Sequence, residues 1–104
     1  MTIRKYDHRQ ETVVVNRRGL HARAAVKIAS LAEKYNAEIN VISNGVFAPA
    51  TSIMSLMLLA AGPGDKLCFE ATGADSLLAI DELTSLVNSG FNEDCDGCSS
   101  KNDD

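Results

Sequence analysis

A chain of 104 residues, 45% of them hydrophobic, has room for one domain built round a single core. Its formal charge of -4 is unevenly placed: residues 1–91 balance, and five acids against one lysine between Asn92 and Asp104 carry the excess. A neutral body lacks the basic footprint of a nucleic-acid binder, and neither a membrane span nor a secretory leader can be read, so a cytoplasmic protein is expected.

The first ten residues, Met1 to Gln10, mix charges without an apolar run and are expected to be flexible, with His8 solvated. The folded domain is expected over residues 11–91. Residues 92–104 carry almost no large apolar groups to offset their ordering entropy and are expected to be a disordered acidic tail. Three cysteines form no disulfide framework. Cys95 and Cys98 have zinc-like spacing, but no second pair of ligands stands near them, so neither a metal nor another cofactor is expected.

In chain order, Glu11 to Asn16 is a short β-branched run ended by Arg17-Arg18-Gly19, which reads as a strand and turn. From His21 to Tyr35 the spacing of Ala25, Ile28, Ala29, Ala32 and Tyr35 predicts a helix with one apolar face. Its alanines let it lie close on a sheet. Glu38 to Ser43 alternates, with Ile39, Val41 and Ser43 on one face, and Asn44-Gly45 then predicts a hairpin into Val46, Phe47 and Ala48. Pro49 ends that strand, Ser52 caps a short helix from Ile53 to Ala60, and Gly62-Pro63-Gly64 stops it. Asp65 to Ala71 alternates again, directing Leu67, Phe69 and Ala71 inward and Cys68 to the open face. A last helix runs through Val87 on a stripe of Ile80, Leu83 and Val87. The order βαββαβα in so short a chain predicts an α+β fold, an antiparallel sheet with helices on one face.

The segment that carries chemistry is Gly19-Leu20-His21-Ala22-Arg23. A turn glycine precedes a histidine at the start of a helix, and an arginine follows two positions later. Unpaired N–H groups and the positive end of the dipole make a helix N-terminus receptive to phosphate. An imidazole nitrogen there can carry a phosphoryl group, and Arg23 can add a permanently charged donor fork. Spacing alone favours a histidine that merely caps the helix or stands on the surface.

Gly19-Leu20-His21-Ala22-Arg23, followed by Thr51-Ser52-Ile53-Met54-Ser55-Leu56-Met57 and Gly62-Pro63-Gly64-Asp65, resembles the HPr family of the bacterial phosphotransferase system over about Glu11 to Val87. The resemblance implies an open-faced β-sandwich, four antiparallel strands covered on one face by three helices. It implies a phosphocarrier rather than an enzyme: His21 accepts a phosphoryl group from a phosphoenolpyruvate-charged enzyme I, Arg23 stabilises it, and an EIIA-type domain receives it. It also implies a regulatory serine at Ser52, the substrate of an HPr kinase/phosphorylase in some bacteria. Leu20, Ile53, Met54 and Met57 match the surface that docks partners, which suits a monomer meeting them in turn. Ala24 stands where many members have proline and Ser55 where many have glycine; Ala24 and the segment from Leu58 to Gly64 look closer to the nitrogen-related branch.

Two other readings compete with the carrier. One is a regulatory protein of the same fold that acts by docking, with His21 vestigial; the intact His21/Arg23 pair weighs against it. The other is an unrelated small α+β binding module. That would need an aromatic sheet face or a basic stripe, and only Phe47 and Phe69 lie in candidate strands.

Overall fold

The computed structural model describes residues 6–92. Strand β1 (His8–Val13) leads to helix α1 (Ala22–Ala32), the hairpin of β2 (Glu38–Ser43) and β3 (Val46–Pro49), helix α2 (Ile53–Leu58), strand β4 (Lys66–Thr72) and helix α3 (Ser76–Asn88). A 3-10 turn at Gly90–Asn92 follows. The strands form one antiparallel sheet in the order β1-β4-β2-β3, and the helices cover one face of it. This is the α+β arrangement that the alternation of elements predicts. No helix among the described residues is long and apolar enough to cross a membrane. The expected acidic tail from residue 93 onward, with Cys95 and Cys98, lies outside the described residues, as do residues 1–5.

Alternation decides which side chains enter the core. Phe69 on β4 stands opposite Val41 on β2 and Gln10 on β1 in register, and Leu67 and Ala71 share its face. Against them α1 presses Ala25, Ile28, Ala29 and Ala32, and α3 presses Ala79, Ile80, Leu83 and Val87, all buried. Ser43 joins the inward face of β2 because its hydroxyl donates to the Lys66 carbonyl at 2.9 Å. The Asn44-Gly45 turn has positive φ at both residues, 53° and 80°, the type I′ geometry that suits the strand twist.

Four features correct or extend the expectations. His8, Arg9 and Gln10 are not a flexible leader; they are the first half of β1, paired with Ala71, Glu70 and Phe69. A polar sequence conceals this edge strand, which is secured from above by α3. His8 Nδ1 lies 2.8 Å from the Ser76 hydroxyl at the start of that helix, and the Thr12 hydroxyl donates to Asn88 Oδ1 at 2.6 Å at its end. Cys68 does lie on the open face, opposite Glu11 and Ile42, yet it is only 6% exposed because those neighbours close over it. Phe91, just beyond the last helix, is a core residue with no exposure, and its carbonyl accepts a hydrogen bond from Lys27 Nζ on α1.

The fourth correction concerns the end of α2. That helix stops at Leu58, before the glycines, and Ala60 adopts the left-handed conformation at φ 52°. A Cβ makes that conformation unfavourable by about 1–2 kcal/mol, whereas glycine is the usual residue at such a helix exit. Ala60→Gly should therefore raise stability, by roughly 0.5–1 kcal/mol after the entropy glycine adds to the unfolded chain. A higher urea midpoint with an unchanged slope is the expected result, and an unchanged or lower midpoint would contradict the assigned strain.

Candidate functional site

The two segments that the sequence singles out meet through their backbones. Beyond β1 the chain continues beside the loop that precedes β4: Val14 N–H donates to the Asp65 carbonyl, and Gly64 N–H returns a bond to Val14, both at 2.9 Å. The loop is itself closed, since Gly62 N–H donates to the Asp65 carboxylate at 2.8 Å. The chain then turns at Asn16 to Gly19, where Gly19 N–H reaches the Asn16 carbonyl at 3.2 Å. Asn16 has no exposure, and its side-chain amide donates to the Gly19 carbonyl at 2.9 Å. Leu20 N–H next donates to the Ala61 carbonyl at 2.9 Å.

Gly19 is required by this approach. Its φ is 64°, and a Cβ would stand 2.5 Å from the Ala61 oxygen and 2.9 Å from the Gly62 Cα. Both neighbours are backbone, so neither can swing aside as a side chain could. The turn therefore rests directly on the loop after α2 and aims the next residue at the start of α1.

That residue is His21, the N-cap of α1, in an extended conformation with φ -88° and ψ -178°. Its carbonyl accepts the first helical hydrogen bond, from Ala25 N–H at 2.9 Å. Its Nδ1 accepts from Arg23 N–H at 3.3 Å, which makes the imidazole nitrogen stand in for the usual cap oxygen. An accepting Nδ1 carries its lone pair toward the helix N-terminus and leaves the ring proton on Nε2. The cap and the chemically suggestive histidine are thus the same residue, and the two readings of its spacing merge. Ala24, in place of the family's proline, is fully buried and continues the helix without interruption.

Ser52 is the N-cap of α2: its hydroxyl oxygen accepts from Ser55 N–H at 3.3 Å and lies 3.0 Å from the Ser55 hydroxyl. The helix it starts anchors itself through Leu56, which has no exposure, and turns Ile53, Met54 and Met57 outward at 39%, 71% and 42% exposure. Leu58 extends that patch at 74% exposure. Sequence reasoning did not select Leu58, although its spacing from Met54 by four residues places it on the same helix face. Leu20 requires the opposite correction: it is 5% exposed and belongs to the hydrophobic core, so it holds the turn down instead of meeting a partner. Asn16 was also missed. Only a buried amide beside a glycine turn could have marked it, and burial is not visible in a short polar segment.

The Gly19 contact yields a direct test. Gly19→Ala should destabilise the fold by about 2–4 kcal/mol, combining the left-handed penalty with the cost of displacing packed backbone. Amide shifts of Leu20, Ala61 and Gly62 should move together in its spectra, and a variant as stable as wild type with unmoved shifts would refute the close approach.

Comparison with known proteins adds the remaining part. The model of the PTS-HPr family, described as the PTS HPr component phosphorylation site, matches residues 8–89. A phosphocarrier protein HPr from Cupriavidus necator is 38% identical over 84 residues, covering 81% of this chain and 94% of that protein. A phosphocarrier protein NPr from Shewanella violacea is 36% identical over 84 residues, covering 81% and 92%. Among solved structures, an HPr from Thermoanaerobacter tengcongensis superposes with a TM-score of 0.80 at 32% identity, over 85% of this chain and 99% of that one. Names from the sugar and the nitrogen-related branches thus occur at nearly equal identity. With a matching family model across almost every described residue and the same fold, the chain belongs to the HPr family of the phosphotransferase system.

Proposed function

We propose that His21 is the phosphoryl acceptor, taking the group on Nδ1 from a phosphorylated enzyme I and passing it to an EIIA-type domain. The observation that carries this reading is the hydrogen bond from Arg23 N–H to His21 Nδ1, which directs a nitrogen lone pair to the N-terminus of α1. In the forward step Nδ1 gives up the Arg23 N–H, its lone pair attacks phosphorus in line, a new N–P bond forms, and the bond to the donor nitrogen breaks. The electron pair stays on the donor's imidazole. With the ring proton on Nε2, no proton has to leave Nδ1 before attack. The second transfer repeats the exchange with His21 as donor, so the protein is a substrate in both steps and no catalyst.

Negative charge arriving on the phosphoryl oxygens meets the unpaired N–H groups of the first turn and the dipole of the eleven-residue α1. The Arg23 side chain is exposed in the first turn of the helix, where its guanidinium can close on the group. The exposed Ile53, Met54, Met57 and Leu58 supply an apolar docking surface, and flexible methionines suit partners of different shape. Such a carrier works as a cytoplasmic monomer that forms short-lived complexes. Ser52 adds a point of regulation in this reading. Phosphorylation by an HPr kinase/phosphorylase would put charge beside Ile53 and Met54 and oppose the desolvation that docking needs. The same patch favours a second reading, a regulatory protein that acts by docking alone; it differs by having no need of His21.

The experiment incubates the protein with phosphoenolpyruvate and enzyme I and follows the label by mass spectrometry and phosphorus NMR. Wild type and Ser52→Ala should carry an acid-labile phosphate, and His21→Ala none. Arg23→Ala should fold normally and accept phosphate about 10- to 100-fold more slowly, the range set by losing charge-assisted hydrogen bonds of roughly 1.5–3 kcal/mol. Absence of label on wild type, with a competent control carrier in the same tube, would leave the docking reading in place.

A further inference from the structure

The solvent side of α1 holds a feature that the phosphoryl transfer uses only at Arg23. Arg23, Lys27, Ser30 and Lys34 recur at four-, three- and four-residue spacing, and so fall within an arc of about 60° round the α1 axis and its short extension. Between this stripe and α3 lies a shallow groove lined by Leu31 and Leu86 and edged by Lys27 and Lys34, with the exposed Val26 across the stripe from Leu31. Glu82 lines its other wall. Asn92, the last described residue, lines both parts of the groove. The chain is delivered there by a specific contact, since Lys27 Nζ donates to the carbonyl of Phe91, whose ring is locked in the core.

We infer that this groove between α1 and α3 is the docking site of the chain's own acidic segment, residues 93–104. Three arguments select this occupant. The segment begins where the groove is, so its effective concentration there is on the order of millimolar and only the ordering of its own residues opposes docking. Its charge is complementary to the α1 edge alone, with five acids against Lys101 facing Lys27 and Lys34 there, while Glu82 on the α3 wall confines the segment to that edge. Its spacing also fits. Glu93, Asp94 and Asp96 lie within four residues of Asn92, a span of at most about 14 Å, and the groove from Val26 to Lys34 is about 12 Å long. A docked segment would neutralise the cationic edge of α1 one turn from Arg23, so an acidic partner approaching from that side would have to displace it.

The test uses the full chain with a paramagnetic label on Cys98, Cys95 replaced by serine and the buried Cys68 by alanine. The reference carries the same label and a segment whose net charge falls from -4 to -1 through Glu93→Gln, Asp94→Asn and Asp96→Asn. Docking predicts that line broadening at the amides of Ser30, Leu31, Lys34 and Leu86 is at least twofold greater than in the reference. Lys34→Glu, or 0.5 M salt, should reduce it to the reference level. Equal broadening in both proteins overturns the inference, as does broadening centred on the open face of the sheet. Labelled and isotope-enriched molecules mixed in one sample provide the last arm. Broadening that appears between molecules and grows with concentration would mean that the groove takes the segment of a second copy, which also overturns docking within one chain.

Discussion

The architecture of the site depends on one close approach of backbone to backbone. Gly19 and Leu20 rest on Ala61 and Gly62, with a hydrogen bond from Leu20 to Ala61 and no room for a Cβ between them. Segments some forty residues apart in the chain become one surface through this contact. It ties the turn that leads into the histidine cap of α1 to the loop that leaves α2. Because the contact is made by backbone, its geometry is insensitive to most side-chain changes and intolerant of any added at Gly19.

Around that contact the domain separates tasks among its layers. The inward face of the sheet and the inner stripes of α1 and α3 hold the hydrophobic core, from Ile28 and Phe69 to Leu83 and Phe91. The short α2 contributes one fully buried side chain, Leu56, and leaves the rest of its apolar surface to solvent. A six-residue helix is marginal without tertiary support. Its cap at Ser52 and its left-handed exit at Ala60 therefore matter more to it than propensity does.

The histidine cap illustrates how one geometry serves two purposes. A nitrogen that accepts a backbone N–H in the resting protein is already aimed at the place where a phosphoryl oxygen would find the same donors. Little reorganisation then separates the resting and charged states. In the proposed carrier role such balance is useful: fixed dipoles and the exposed Arg23 would hold the phosphoryl group without a closed pocket that would have to open.

The chain's own residues marked out the order of elements, the inward stripes of α1, β2, β4 and α3, the Asn44-Gly45 turn, the cap at Ser52 and the segment around His21. These are local matters, set by periodicity, turn chemistry and capping, which act between residues a few positions apart. Other features arose only on folding. His8 to Gln10 became strand because β4 offered them partners and α3 secured them at Ser76 and Asn88. Leu20 went inward, Cys68 was covered on a nominally open face, and Phe91 entered the core beyond the last helix, each decided by neighbours distant in sequence. Alternation tells which face a residue occupies, but burial depends on what lies across that face, and only the tertiary structure supplies it.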